Sequence, residues 1–268
     1  MKHPKNKKHG WNAADYERHS SSQRQWAQPI IAQLTLDGDE RILDIGCGDG
    51  KLTAQLAARV PHGCVLGIDT SEEMIAFAEA KFRLRHVSNL SFRIGDAASL
   101  EFDHDLDLVV SFSCLHWVQD QAAVLRGIRK SLKQGGRVVL QFAGKGDEAS
   151  LLDATADVVA RPRWRCYFEN FDYKWTACDA QDYRTLLSKA GFTPQRVELV
   201  PKDMVHGGAE GLKGWFRTTW LPYIERVPEA LKDEFAADVI QRYIEHNPLD
   251  AEGRTHVRTI RLEVEATT

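Results

Sequence analysis

The stretch of this 268-residue chain best equipped for chemistry is Ile42-Leu43-Asp44-Ile45-Gly46-Cys47-Gly48-Asp49-Gly50. It stands where a β-branched run gives way to a helical pattern, the place where an open α/β sheet holds its ligand. Gly46 and Gly48 carry no Cβ, so the backbone there turns sharply and lets a ligand come close. The helix that follows presents unpaired backbone N–H groups. Asp44 decides what those groups meet. A bare helix N-terminus attracts phosphate, whereas an added carboxylate repels it and favours a cation. The GxGxG spacing also departs from the GxGxxG of dinucleotide sites. Two more acids follow at strand ends. Asp69 comes after Cys64–Ile68, placed to accept two hydrogen bonds from a ribose diol. Asp96, in Gly95-Asp96-Ala97 after Leu90–Ile94, could grip an adenine edge together with a backbone amide.

A second polar cluster closes the next strand, in Ser111-Phe112-Ser113-Cys114-Leu115-His116-Trp117-Val118-Gln119-Asp120. His116 and Trp117 both donate hydrogen bonds, which suits an anionic partner better than an amine. No Asn/Asp-Pro-Pro-aromatic sequence, the usual cradle for a nitrogen acceptor, occurs there. The N-terminal segment from Trp11 to Arg24 is dense in polar and aromatic groups, among them Tyr16, His19 and Gln23.

These residues must be carried by regular elements. Arg41–Ile45, Cys64–Ile68, Leu90–Ile94, Leu106–Phe112 and Arg137–Phe142 read as strands, interleaved with helices over Lys51–Val60, Glu72–Phe82 and Gln121–Leu132. Such alternation predicts βαβ units and a parallel sheet. After Phe142 the rhythm changes: Ala180–Ala190 reads as a helix, Arg196–Val200 as a strand, residues 208–246 as two helical patterns and Thr255–Val264 as a last strand. The stripe Trp215, Phe216, Trp220 and Tyr223 has helical spacing, so packing is its default role.

The acid and glycines after strand one, with acids ending strands two and three, resemble the class I S-adenosylmethionine-dependent methyltransferases. Tyr16 and Ser21-Ser22-Gln23-Arg24, taken with Cys114-Leu115-His116-Trp117-Val118-Gln119, look like the trans-aconitate and juvenile hormone acid methyltransferase group, whose members make methyl esters of small carboxylic acids. The resemblance extends loosely over most of the chain, and bacterial malonyl-carrier-protein methyltransferases share the architecture. It implies an α/β fold with a doubly wound, mostly parallel seven-stranded sheet and a helical cap. Residues 1–27 would form a lid and 28–200 the core, completed by 254–268, with 201–253 as the cap. It implies S-adenosylmethionine as cofactor: Asp44, Gly46 and Gly48 at the methionine portion, Asp69 at the ribose, Thr70 and Met74 beside the adenosine, Asp96 and Ala97 at adenine. Tyr16 and His19 would close over the donor. Gln23 and Trp117 would hold the acceptor carboxylate, beside His116. An ionised carboxylate needs no base, and neutral donors orient it without quenching it as Lys or Arg would.

Several readings stay open at this level. Thr70 and Met74 also read as a helix cap and a core residue, Trp117 as a wall of the donor pocket, His116 as a cap and Gln23 as an exposed helical residue. A glycine loop in a doubly wound sheet also serves NAD-dependent dehydrogenases, against which Asp44 counts, and a non-catalytic S-adenosylmethionine-binding protein would share the donor pattern. The acceptor extends to other small molecules and carrier-bound acyl groups.

Composition sets the outer limits. Apolar residues make up 43% and charged residues 27%, an ordinary globular balance. A net charge of −3 gives no basic surface of the kind nucleic acids need. No run of about 18 apolar residues could span a bilayer, and the basic start leads into no apolar signal segment. Five cysteines without CxxC or Cys/His ligand spacing point to a reducing cytoplasm and no metal.

Overall fold

The computed structural model describes residue 17 and residues 21–83, 87–172 and 175–268. In chain order the elements are α1 (Ser21–Gln33), β1 (Arg41–Ile45), α2 (Lys51–Ala57), β2 (Cys64–Asp69), α3 (Glu72–Arg83), β3 (Leu90–Ile94), β4 (Leu106–Phe112), α4 (Gln121–Ser131), β5 (Leu132–Ala143) and α5 (Ala149–Val159). There follow α6 (Ala180–Lys189), β6 (Thr193–His206), α7 (Gly208–Thr219), α8 (Leu221–Ile224), α9 (Lys232–His246) and β7 (Thr255–Thr267). The seven strands form one sheet in the order β3-β2-β1-β4-β5-β7-β6. β1 to β5 pair in parallel, and β7 runs antiparallel to β5. The order reverses between β1 and β4, so the connections leaving those strands diverge and open a crevice at their C-terminal ends.

The larger of two compact units comprises Gln23–Lys145, Trp175–Val200 and Ile260–Thr268. Its sheet is apolar on both faces because helices cover both. Successive side chains of β1 point to opposite faces. Ile42 joins Ala27, Ile31, Leu56 and Val110 on the face covered by α1 and α2. Leu43 and Ile45 join Leu125, Ile128, Tyr183 and Leu187 on the face covered by α4 and α6. By that alternation Asp44 turns toward α2. The same period that builds the core therefore delivers a carboxylate to the crevice.

The smaller unit contains residues 146–172 and Pro201–Thr259. Its core is aromatic: Phe216 stacks on Trp220 with centroids 4.9 Å apart, and Phe235 meets Trp164 at 5.2 Å and Phe168 at 5.3 Å. Trp215, Phe216 and Trp220 are all buried, so the helical stripe is a packing face. Each large apolar side chain so buried contributes up to about 3 kcal/mol. Arg163 pairs with Glu234 and Arg161 with Asp238, so both arginines of this surface are ion-paired.

The two strands that differ most from the sequence reading are β5 and β6. β5 begins at Leu132 and not at Arg137, because Leu132 is already extended and pairs with Leu106. Gly135, at φ 76°, and Gly136 are taken into the strand. β6 spans Thr193–His206, starting before and running past the apolar run that marked it, with Met204 buried within the extension. Among the described residues no helix is long and apolar enough to cross a membrane, and no group of three or more His, Cys, Asp or Glu is placed to hold a metal.

Candidate active site

Asp44 is 2% exposed and accepts a hydrogen bond from Thr53 Oγ1 of α2 at 2.7 Å. Burial raises its pKa to about 7; the Thr53 bond opposes the rise and the nearby Asp69 carboxylate adds to it. Asp69, at the end of β2, is also raised by burial, against three backbone N–H bonds that lower it. Its Oδ2 accepts from Gly48 N at 3.0 Å and its Oδ1 from Ser71 N at 2.9 Å. Each carboxylate oxygen has two acceptor directions, so capacity remains for a diol. Two acids thus stand near each other, Asp44 buried and Asp69 partly so, and a buried carboxylate is costly unless a cation or hydrogen bonds compensate it. The donor set fits a ligand that brings positive charge and hydroxyl groups.

Gly46 and Gly48 adopt φ of 74° and 51°, where a side chain is strained. Gly46 has a second constraint that the spacing alone does not reveal. A Cβ there would lie 2.2 Å from Cys114 Sγ and 2.3 Å from its Cβ. The glycine loop is therefore bare partly because the loop after β4 rests on it. Gly46→Ala should destabilise the protein by about 3 kcal/mol, from overpacking plus a left-handed backbone. Adding Cys114→Gly should recover the overpacking part. Denaturant titration of both variants reads this out, and no recovery in the double variant would show that the contact is not the cause.

The remaining donor-side candidates fall on one edge. Asp96 is exposed, and its Oδ1 accepts from Ala98 N at 2.9 Å. Ala97 is buried in the core beside Ile68. Thr70 is exposed at the end of β2, whereas Met74 is 3% exposed at the start of α3, with its N–H directed to Ser71 Oγ at 3.2 Å. Tyr16 and His19 lie outside the described residues.

Beyond β4 the chain enters Ser113 with φ 54°, a conformation rare without glycine, and then a short 3₁₀ turn over Leu115–Trp117. His116 is buried, its Nδ1 has no hydrogen-bond partner, and its ring lies 5.4 Å from that of Trp117. Burial, with Arg261 nearby, drives its pKa well below the ordinary histidine value, so the imidazole is neutral. Trp117 is half-buried and meets Trp175 edge-on at 6.0 Å. Gln23, on α1, has a buried side-chain oxygen without a hydrogen-bond partner.

Sequence reading missed what holds this turn in place. Gln121, buried at the start of α4, donates through Nε2 to Leu115 O at 2.7 Å and Val118 O at 2.8 Å. Those carbonyls bracket His116 and Trp117. Tyr183 donates to Gln121 Oε1 at 3.3 Å. A polar residue placed one step after the Asp120 N-cap was the available signal. Gln121→Leu should cost about 2 kcal/mol of stability, as buried polar groups lose partners. Denaturant titration beside the wild type checks this.

Comparison with known proteins supplies an independent view. The methyltransferase domain family matches residues 36–191. Among curated proteins, trans-aconitate 2-methyltransferase of Methylobacterium nodulans is 29% identical over 248 residues, covering 91% of this chain and 93% of that one. The enzyme of the same name from Deinococcus radiodurans is 31% identical over 229 residues, covering 82% and 84%. Among solved structures, the YcgJ protein of Bacillus subtilis superimposes with a TM-score of 0.62 at 16% identity, covering 91% of this chain and 98% of that one. A magnesium protoporphyrin IX methyltransferase from Synechocystis, solved with bound S-adenosylhomocysteine, gives 0.57 at 18% identity, covering 94% and 85%.

Proposed function

Since the chain belongs to the methyltransferase domain family and is an S-adenosylmethionine-dependent methyltransferase of class I, we propose that it converts the carboxylate of a small organic acid to its methyl ester. The observation that carries this reading is the neutral, buried His116 beside Trp117, in a turn that holds no group suited to proton removal. A general base works best with a pKa near the working pH, and His116 lies well below it. Amines and phenols commonly lose a proton on methylation. A carboxylate, ionised above about pH 4, has none to lose.

When bound, S-adenosylmethionine supplies an electrophilic methyl group on a positively charged sulfur. In this proposal Asp44 and the Gly46–Gly48 loop hold its methionine portion, Asp69 its ribose with Thr70 and Met74 alongside, and Asp96 with Ala97 its adenine. Trp117 and Gln23 orient the acceptor oxygen by neutral hydrogen bonds, leaving its electron density on the reacting atom. Their contribution is alignment of two reactants, the term that dominates when no proton moves. The names of the trans-aconitate relatives support the same chemistry.

Incubating the protein with methyl-labelled S-adenosylmethionine and a panel of mono-, di- and tricarboxylic acids, amines and phenols tests the reading. Base-labile methyl esters are expected. Turnover confined to amines or phenols would refute it.

A further inference from the structure

Within the loop Gly46–Gly50 the charged side chain is that of Asp49, and it is 5% exposed. Its Oδ1 accepts from the Lys51 backbone N–H at 3.3 Å, and its Oδ2 lies 2.8 Å from Lys51 Nζ and 3.7 Å from Lys81 Nζ. Lys51 opens α2. Lys81 stands in the last turn of α3, with its ammonium 5.5 Å from the ring centroids of both Phe77 and Phe82. A carboxylate this deeply buried is costly unless it is paired, and both lysines pair with it. Asp49 therefore differs from Asp44 and Asp69, which accept from a hydroxyl and from backbone N–H groups. Its charge is already balanced within the protein.

The loop needs such a tie. Gly48 and Gly50, on either side of Asp49, hold φ of 51° and 75°, and glycine loses more freedom on ordering than any other residue. Gly46 N and Cys47 N donate to Ile68 O at 2.8 and 3.0 Å, and Gly48 N donates to Asp69 Oδ2 at 3.0 Å. Those bonds fix the loop to β2. Cys47 packs with Ile75, Ala78, Phe82 and Phe92, and the Asp49–Lys81 pair adds a charged contact to the same helix, α3. Gly50 closes the loop against Phe92 and Phe82, where a Cβ would fall 2.6 and 3.0 Å away. The helix that follows Asp69 and Thr70 thus also braces the glycine loop.

We propose that Asp49 is a positioning residue for S-adenosylmethionine: through Lys81 it holds the Gly46–Gly50 backbone in its binding shape before the donor arrives. The inference rests on the donor lying over this loop beside Asp44, and goes beyond it by giving Asp49 a role without contact. A loop ordered in advance loses less freedom on binding, so affinity rises. The rival role, a carboxylate that attracts the cationic donor directly, predicts opposite signs for the two partners. Removing Asp49 would then weaken binding, and removing a nearby cation such as Lys81 would strengthen it. Under positioning, both removals weaken it.

The test is calorimetric titration of S-adenosylmethionine and S-adenosylhomocysteine into the wild type, Asp49→Asn, Lys81→Met, the double variant and Lys81→Arg, with Asp44→Asn as the control for the donor's place. Asp49→Asn and Lys81→Met should each weaken both ligands by on the order of tenfold, the size of a coupling within one ion-pair network. The double variant should bind no more weakly than the worse single variant, and Lys81→Arg should recover most of the affinity. Hydrogen exchange of peptides covering residues 46–51 in the unliganded protein should quicken in both single variants. Tighter binding of S-adenosylmethionine by Lys81→Met, losses confined to S-adenosylmethionine, additive losses in the double variant, or unchanged exchange overturns the positioning role. Unchanged affinity in both single variants, with a loss in Asp44→Asn, does the same and leaves the donor's place standing. Unchanged affinity in Asp44→Asn overturns that place and this inference together. Lys81 is partly exposed, so its variants fold and decide the sign even if Asp49→Asn does not.

Discussion

Asp44→Asn is expected to weaken S-adenosylmethionine binding by on the order of a hundredfold near pH 8 while stabilising the unliganded protein. Removing one partner of a buried charge pair typically costs about 2–5 kcal/mol of binding. The stability effect has the opposite sign because, without a cationic ligand, the carboxylate is itself a liability. In the unfolded chain Asp44 gives up its proton near the ordinary value of 3.8; in the folded protein burial delays this until about 7. Between those limits the folded state binds more protons than the unfolded one, so its stability falls as pH rises, and levels off above about 7. The swing has an upper size of about 4 kcal/mol. Asn carries no proton to lose, so the variant's stability should stay flat over that window. Ligand binding runs the other way. A cation favours ionised Asp44, so affinity should strengthen by up to tenfold per pH unit as pH rises toward about 7, with a proton released on binding. Calorimetry in buffers of different ionisation enthalpy measures that proton directly. An affinity indifferent to pH, with Asn matching the wild type, would remove Asp44 from the site.

Trp117→Ala should lower acceptor turnover about a hundredfold and leave S-adenosylhomocysteine affinity within threefold. The ring meets His116 and Trp175 at 5.4 and 6.0 Å, so truncation also removes packing. Trp117→Phe separates the two contributions, because it retains an aromatic body and lacks the indole N–H. If the N–H orients the acceptor, Phe should recover stability but little of the turnover. Equal losses of turnover and donor affinity in Ala would assign Trp117 to the wall of the donor pocket instead.

The residues proposed to hold the donor could be picked out along the chain for a physical reason. Asp44, Gly46, Gly48, Asp69 and Asp96 each lie at or just past the C-terminal end of a strand, and parallel strands bring those ends to one edge. Local sequence then implies spatial assembly without knowledge of any long-range contact. The residues around the proposed acceptor obey no such rule. Gln121 acts through two carbonyls that become neighbours only in the folded turn. Gly46 owes part of its identity to Cys114, 68 residues away along the chain. Arg261, which helps to lower the basicity of His116, reads in sequence as one more charge in an alternating strand.

The sequence by itself determined the βαβ order, the alternation that turns Asp44 off the core line of Leu43 and Ile45, and the preference for a cation over a diphosphate. Each follows from periodicity or from charge placed next to a helix start, both properties of short segments. Only the tertiary structure decided that His116 is neutral, that Gly46 supports the loop after β4, and that Arg261 donates to Ser113. Those depend on burial and on contacts between distant segments, and the solvation that sets a side chain's charge exists only once the chain has closed around it.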